Sequence, residues 1–157
     1  ICLFGAELSY ASQNVKKFSF ERDSKNISRR YYDFLTLLIT SLIVKRFAKG
    51  ETPYTADELS NSNRIPIRIT TEILYKLTEL GIIQEVVIGN DVRIIHYQPA
   101  IDINQLSVSY LYDRMDCHGS ENFKIDTSQL FNKEWKTLLL LRESVKEKGE
   151  HILLKDL

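Results

Sequence analysis

Cysteine is nearly missing from this 157-residue chain, and the two that occur, Cys2 and Cys117, form no CxxC and no Cys/His grouping. Neither a disulfide framework nor a structural zinc is expected, and both thiols read as buried or incidental. Histidine is as scarce. His96, His118 and His151 fall in an expected strand, a helix end and a tail, so they do not assemble an acid-base pair. A long apolar run is lacking too: Ile1 to Ala11 has eleven residues, against the roughly 20 that cross a bilayer as a helix. There is no charged, apolar and cleavage region in the order of a secretory signal. Internal repeats and low-complexity tracts are absent as well. Because the sequence opens on Ile1 rather than Met, it is expected to be a piece of something longer.

What is present is ordinary for a globular protein: 43% hydrophobic and 27% charged residues, enough for one core with accessory elements. Lys plus Arg and Asp plus Glu balance at 21 each, but unevenly along the chain. Residues 1–50 carry nine basic and four acidic side chains, residues 51–100 four and seven, residues 101–157 eight and ten. The basic excess therefore lies ahead of the central segment and not within it.

Tyr31, Phe34, Leu35, Leu38 and Leu42 mark one helical face, widened by Ile39, Ile43 and Val44, and Gly50 ends that helix. Thr55-Ala-Asp-Glu58 has the form of a capping box opening a short helix to about Ser62. After a turn at Asn63 to Pro66, with Pro66 at the first helical position, a second helix runs to Leu80 on the stripe Ile69, Ile73, Leu74, Leu77 and is stopped by Gly81. Two helices across a tight turn make a helix-turn-helix. Ile82 to Ile88 and Val92 to Tyr97 then read as strands joined at Gly89-Asn90, a wing closed by Pro99. Asp102 with Gln105 is expected to cap a helix through Leu106, Tyr110, Leu111 and Met115 to about Gly119. Asp126 with Gln129 is expected to cap a last one, with Phe131, Trp135, Leu138, Leu139 and Val145 as its stripe. The tail His151 to Leu157 has no assigned place.

The order helix, helix, turn, helix, hairpin, helix predicts an α+β protein, mainly α, with a winged helix at its centre. The expected organisation is a membrane-helix end and basic juxtamembrane linker over 1–26, the winged-helix domain over 27–119, and a C-terminal helix and tail over 120–157.

Two resemblances follow. Leu3 to Ala11, LFGAELSYA, with Gly5-Ala6-Glu7 carrying the match, resembles the end of the last membrane helix in the YihY/BrkB family of bacterial inner-membrane proteins, the ribonuclease BN-like family. SRRYYDFL and PAIDINQLSV resemble the soluble tail of some members. That resemblance implies a cytoplasmic region beneath the inner membrane, with Lys16, Lys17, Arg22, Lys25, Arg29 and Arg30 as its basic flank. Thr55 to Ser109, in TADELS and IPIRITTEILYKLTELGII, resembles the winged helix of the iron–sulfur-sensing repressors and of MarR-type regulators. Those repressors hold their cluster through cysteines in and after the wing. Only Cys117 lies near, so cluster binding is not carried over and no cofactor or metal is expected.

The function expected is non-catalytic: interaction, dimerisation or regulation through a protein partner or a second copy, with Tyr110, Leu111, Met115 and Trp135 at the interface. The alternative is DNA recognition by Arg64, Arg68, Thr70, Thr71 and Lys76, with Arg93 on the wing. The net negative charge of the central segment weighs against it. For the ribonuclease activity in the family's label, the best carboxylate couple is Asp113 with Asp116, which at i, i+3 spacing reads as solvated helix surface. No catalytic residue is assigned.

Overall fold

The structure, a computed structural model, describes residues 26–157. The apolar opening, Cys2, Lys16, Lys17, Arg22 and Lys25 lie outside the described residues.

Helix α1, Arg29–Ala48, starts where Ser28 Oγ accepts the Tyr31 amide at 3.2 Å and ends as Gly50 turns left-handed at φ +69°. It is buried on several sides, with Leu35, Ile39, Ile43 and Val44 in the core. Its buried Thr36, Thr40 and Ser41 donate their hydroxyls to carbonyls three or four residues back, which satisfies them without an outside partner. Strand β1, Tyr54–Thr55, leads into α2, Ala56–Asn63, through the capping box read from sequence. Thr55 Oγ1 accepts the Glu58 amide and the Glu58 carboxylate accepts the Thr55 amide, both at 3.2 Å. Arg46 stacks its guanidinium 3.8 Å over the Tyr54 ring and reaches Glu58 at 3.5 Å, tying α1 to this corner.

Helix α3, Ile67–Glu79, is strongly two-sided: Ile69, Thr70, Ile73, Leu74 and Leu77 are buried. Pro66 stands just before it as the capping residue, one position ahead of expectation. Strands β2, Ile83–Val87, and β3, Ile95–Pro99, pair antiparallel from Ile83 opposite Pro99 to Val87 opposite Ile95. With β1 added on the far side of β3, the sheet order is β1-β3-β2. The wing corrects the sequence reading. Gly89-Asn90 is not a two-residue hairpin turn but part of a loop over 88–94, and Val92 and Ile94 belong to that loop. The ladder stops at Val87 because Asp91 turns the chain by accepting the Arg93 amide at 3.0 Å.

Helix α4, Val108–Asp116, is capped by Ser107, whose Oγ accepts the Tyr110 amide, and not by Asp102. Asp102 instead closes a local turn by accepting both nitrogens of Asn104. Helix α5, Asn132–Gly149, likewise lacks the expected Asp126 cap. Asp126 Oδ1 accepts from Ser128 and Gln129 within the preceding turn, and α5 begins after it with no side-chain cap.

The tail has a definite place. Ile152 and Leu154 exchange backbone hydrogen bonds with Val108 and Leu106, and a 3-10 turn, Leu154–Asp156, packs against α1. Leu154 is fully buried with Leu106 and Leu111 in the same core as Ile39, Ile73 and Leu77. Through Leu154 the tail therefore joins the hydrophobic core of the winged helix.

Candidate nucleic-acid interface

The turn between α2 and α3 is built without glycine. Arg64 adopts φ +54°, a left-handed conformation unusual for a residue with a Cβ. Its amide donates to the Ser60 carbonyl, Ser60 Oγ donates to the Ile65 carbonyl at 2.6 Å, and Asn63 Nδ2 donates to the Leu59 carbonyl at 3.0 Å. These bonds fix the angle between the two helices and leave Arg64 exposed at the amino end of α3.

Along α3, Arg68, Thr71, Glu72, Tyr75 and Glu79 are exposed. Arg68, Thr71 and Tyr75 share a face by helical periodicity, and Tyr75 is 67% exposed. Two expected contacts shift. Thr70 is fully buried and spends its hydroxyl on the Pro66 carbonyl, because its position falls between the core residues Ile69 and Ile73. Lys76 is half-buried, with its ammonium 5.3 Å from the centre of the Tyr32 ring, and so faces α1. Burial raises the Tyr32 phenol above its usual range, helped by Glu72 and Asp33. Basic groups thus gather at the amino end of α3, where exposed backbone amides also favour anions. The carboxyl end is acidic: Glu79, one turn on from Tyr75, holds the Tyr75 phenol above its usual range and lies 3.7 Å from His118.

On the wing, Arg93 meets Asp91 in a two-pronged pair, Nε to Oδ1 at 3.0 Å and Nη2 to Oδ2 at 3.1 Å. These bonds lower the Asp91 carboxyl below its usual range and raise Arg93. Val87, Ile88, Val92 and Ile94 around them are exposed.

The second surface lies on α4 and α5. Leu111, expected at an interface, is fully buried in the core with Leu106 and Leu154. Tyr110, Met115 and Trp135 are half-buried. An open groove of about 1500 Å³ runs between α1, α4 and α5, lined by Phe34, Leu37, Val108, Met115, Trp135 and Leu138 among others. Among the described residues the expected stripe on α5 is left largely bare at Leu138 and Leu139, 44% and 47% exposed, and the adjoining Leu140 and Leu141 are 71% and 58% exposed. Only its carboxyl end is clamped, where Gly149 lies against Ser109 and Ser109 Oγ donates to the Lys146 carbonyl.

Asp113 and Asp116 each already face cations. Lys146 lies 3.8 Å from Asp113, and Arg142 and Arg29 lie 3.1 and 3.6 Å from Asp116. They are a clasp between helices. The three histidines remain on separate elements, and Cys117, just after α4, is exposed rather than buried.

This architecture is a winged helix, mainly helical with a small antiparallel sheet. No family model matches the chain, and no curated protein does. Among solved structures it is similar to CymR (YrzC), the global cysteine regulator of B. subtilis. The identity is 13% over 83% of this chain and 94% of that one, with a TM-score of 0.55. It is equally similar to T. potens IscR, at 14% identity over 83% and 84% of the two chains and a TM-score of 0.55. These neighbours are winged-helix regulators of the Rrf2 family. At such identities the likeness establishes the fold, so the resemblance of Thr55 to Ser109 to regulator winged helices holds at that level. The comparisons bring no match to the YihY/BrkB family, and among the described residues no helix is long and apolar enough to cross a membrane.

Proposed function

We propose that this chain is a DNA-binding regulator acting as a two-fold dimer, α3 entering the major groove and α5 pairing with α5 of a second copy. The observation that carries the reading is the amino end of α3: Arg64, Arg68 and Thr71 stand exposed on a helix whose other face is anchored in the core. An α-helix fits the major groove, where arginine is suited to guanine edges and to phosphates. The acidic carboxyl end of α3 lowers the non-specific phosphate attraction and leaves affinity to the few groups at its start.

Self-association is supported by Leu138 to Leu141. Four consecutive exposed leucines occupy all sides of α5, far more apolar surface than a lone helix leaves in water. A second copy crossing there, with its own Trp135 and Met115 in the groove, would bury those on the facing side of α5. To read a palindromic site such a dimer must present its two α3 helices one turn of DNA, roughly 34–36 Å, apart.

The test is fluorescence anisotropy of a mixed-sequence duplex over a salt series, with light scattering on the same sample. Binding that weakens steeply with salt, and drops by about tenfold or more in Arg68→Glu, supports the reading. Unchanged binding in Arg68→Glu removes α3 from the interface.

A second reading rests on charge. The basic excess ahead of the winged helix, Lys16, Lys17, Arg22, Lys25, Arg29 and Arg30, suits an anionic membrane surface such as the inner leaflet of a bacterial inner membrane. The domain would then serve beneath a bilayer with a protein partner. Co-sedimentation with phosphatidylserine-rich but not with neutral vesicles supports this reading; equal or no binding retires it.

A further inference from the structure

Resting on the DNA-binding reading, the wing carries a second layer of control. Each strand of the wing spans about 16 Å at about 3.3 Å per residue, comparable with the roughly 12 Å width of the major groove. With α3 in that groove, a wing of that length would be long enough to bring the loop over 88–94 to the neighbouring backbone. The cation present there is Arg93, and the group it faces is the Asp91 carboxylate, bound through both guanidinium prongs and through the Arg93 amide. Arg93 is otherwise unencumbered, with its side chain 87% exposed. The loop that holds the pair is apolar and exposed at Ile88, Val92 and Ile94, with Val92 at 73%.

We infer that Asp91 is a specificity-determining residue that occupies Arg93 in place of a DNA phosphate, so that the wing adds little sequence-independent affinity. A phosphate and a carboxylate offer guanidinium the same two-oxygen geometry, so the wing's carboxylate competes directly with the backbone. With the pair closed, Val92 and its apolar neighbours are what the wing offers DNA, and apolar side chains act in the minor groove against base edges rather than phosphates. Discrimination between a correct and a random site is then left to Arg64, Arg68 and Thr71.

The experiment is a double-mutant cycle on the full chain: wild type, Asp91→Asn, Arg93→Gln and the double variant, each titrated with mixed-sequence duplex over a salt series. Asp91→Asn keeps the shape and an oxygen for the Arg93 amide while releasing the guanidinium. It is expected to tighten binding up to about fivefold, the range an exposed ion pair withholds, and to steepen the salt slope by about one counterion. Arg93→Gln leaves the Asp91 carboxylate unpaired and should bind somewhat more weakly than wild type, while the double variant, with neither charge, should lose the gain and bind as wild type does. A gain that persists in the double variant would be plain relief of charge repulsion and overturns the inference. So does a double variant that binds more weakly than wild type, since Arg93 would then already hold DNA. Arg68→Glu, run in parallel, reads the underlying proposal: if it binds as wild type does, α3 is not the interface, whatever the cycle gives.

Discussion

At the scale of single residues, Arg64 shows how position and chemistry can pull apart. A left-handed conformation costs a residue with a Cβ about 1 kcal/mol or more relative to glycine, and Arg64 adopts φ +54°. Arg64→Gly is therefore expected to raise the melting temperature while weakening duplex binding, two shifts of opposite value measurable on one sample. A uniform loss of both would mean that the Arg64 side chain supports the turn. Thr55→Ala, which removes one half of the reciprocal cap on α2, should cost about 0.5–2 kcal/mol in urea unfolding. Asp126 supplies a pH signature. Hydrogen bonds from the Gln129 amide and from Ser128 hold its carboxyl below the ordinary 3.8. A carboxylate favoured in the folded state stabilises fully above the unfolded pKa, and that stability is lost as pH falls through the lower folded value. Asp126→Ala should accordingly melt below wild type at neutral pH, with the gap closing in the acid range under 3.8.

Among the elements, the crossing of α4 and α5 is the most exacting. A Cβ placed on Gly149 would lie 2.6 Å from Ser109 Oγ and 3.2 Å from the Ser109 amide nitrogen. Gly149→Ala is expected to cost about 1–3 kcal/mol by overpacking, and to disturb self-association through the tilt of α5. Unchanged stability and mass in solution would show that the crossing has slack. Helices α1 to α3 were legible in the sequence because their signals are local: the Thr55/Glu58 box, the stripe from Ile69 to Leu77, Gly81 at φ +71°. The short strand β1 was not, since Tyr54 and Thr55 are strand only by pairing with Tyr97 and His96, over forty residues on. Asp102 and Asp126 carry the composition of helix caps yet cap turns, a choice between two local hydrogen-bond patterns that spacing alone does not settle. Of the site, Arg64, Arg68, Thr71 and Arg93 were readable as exposed polar positions. Tyr75 was missed although it continues the face of Arg68 and Thr71. The burial of Leu111 and the bareness of Leu139 to Leu141 depend on how α5 leaves the body, which no window of sequence contains.

For the whole molecule, the proposed dimer is the property most open to measurement. Leu139→Glu, placed among exposed leucines, should leave the fold intact and shift the species seen by light scattering toward the 18.3 kDa monomer. Duplex affinity should fall with it, because two linked half-sites bind far more tightly than one. Retention of a dimer would move the interface off α5. Leu154→Ala acts elsewhere: emptying a fully buried leucine site should cost about 2–5 kcal/mol and loosen α1 and α4 together. The position of Leu154 also bears on synthesis. The core that α1 begins is closed by a side chain made more than a hundred residues later, so a nascent chain can hold its helix-turn-helix half-formed but cannot seal it until the tail has emerged. Such distant closure slows folding, and it makes the emergence of Leu154 the step that lets the winged helix close its core.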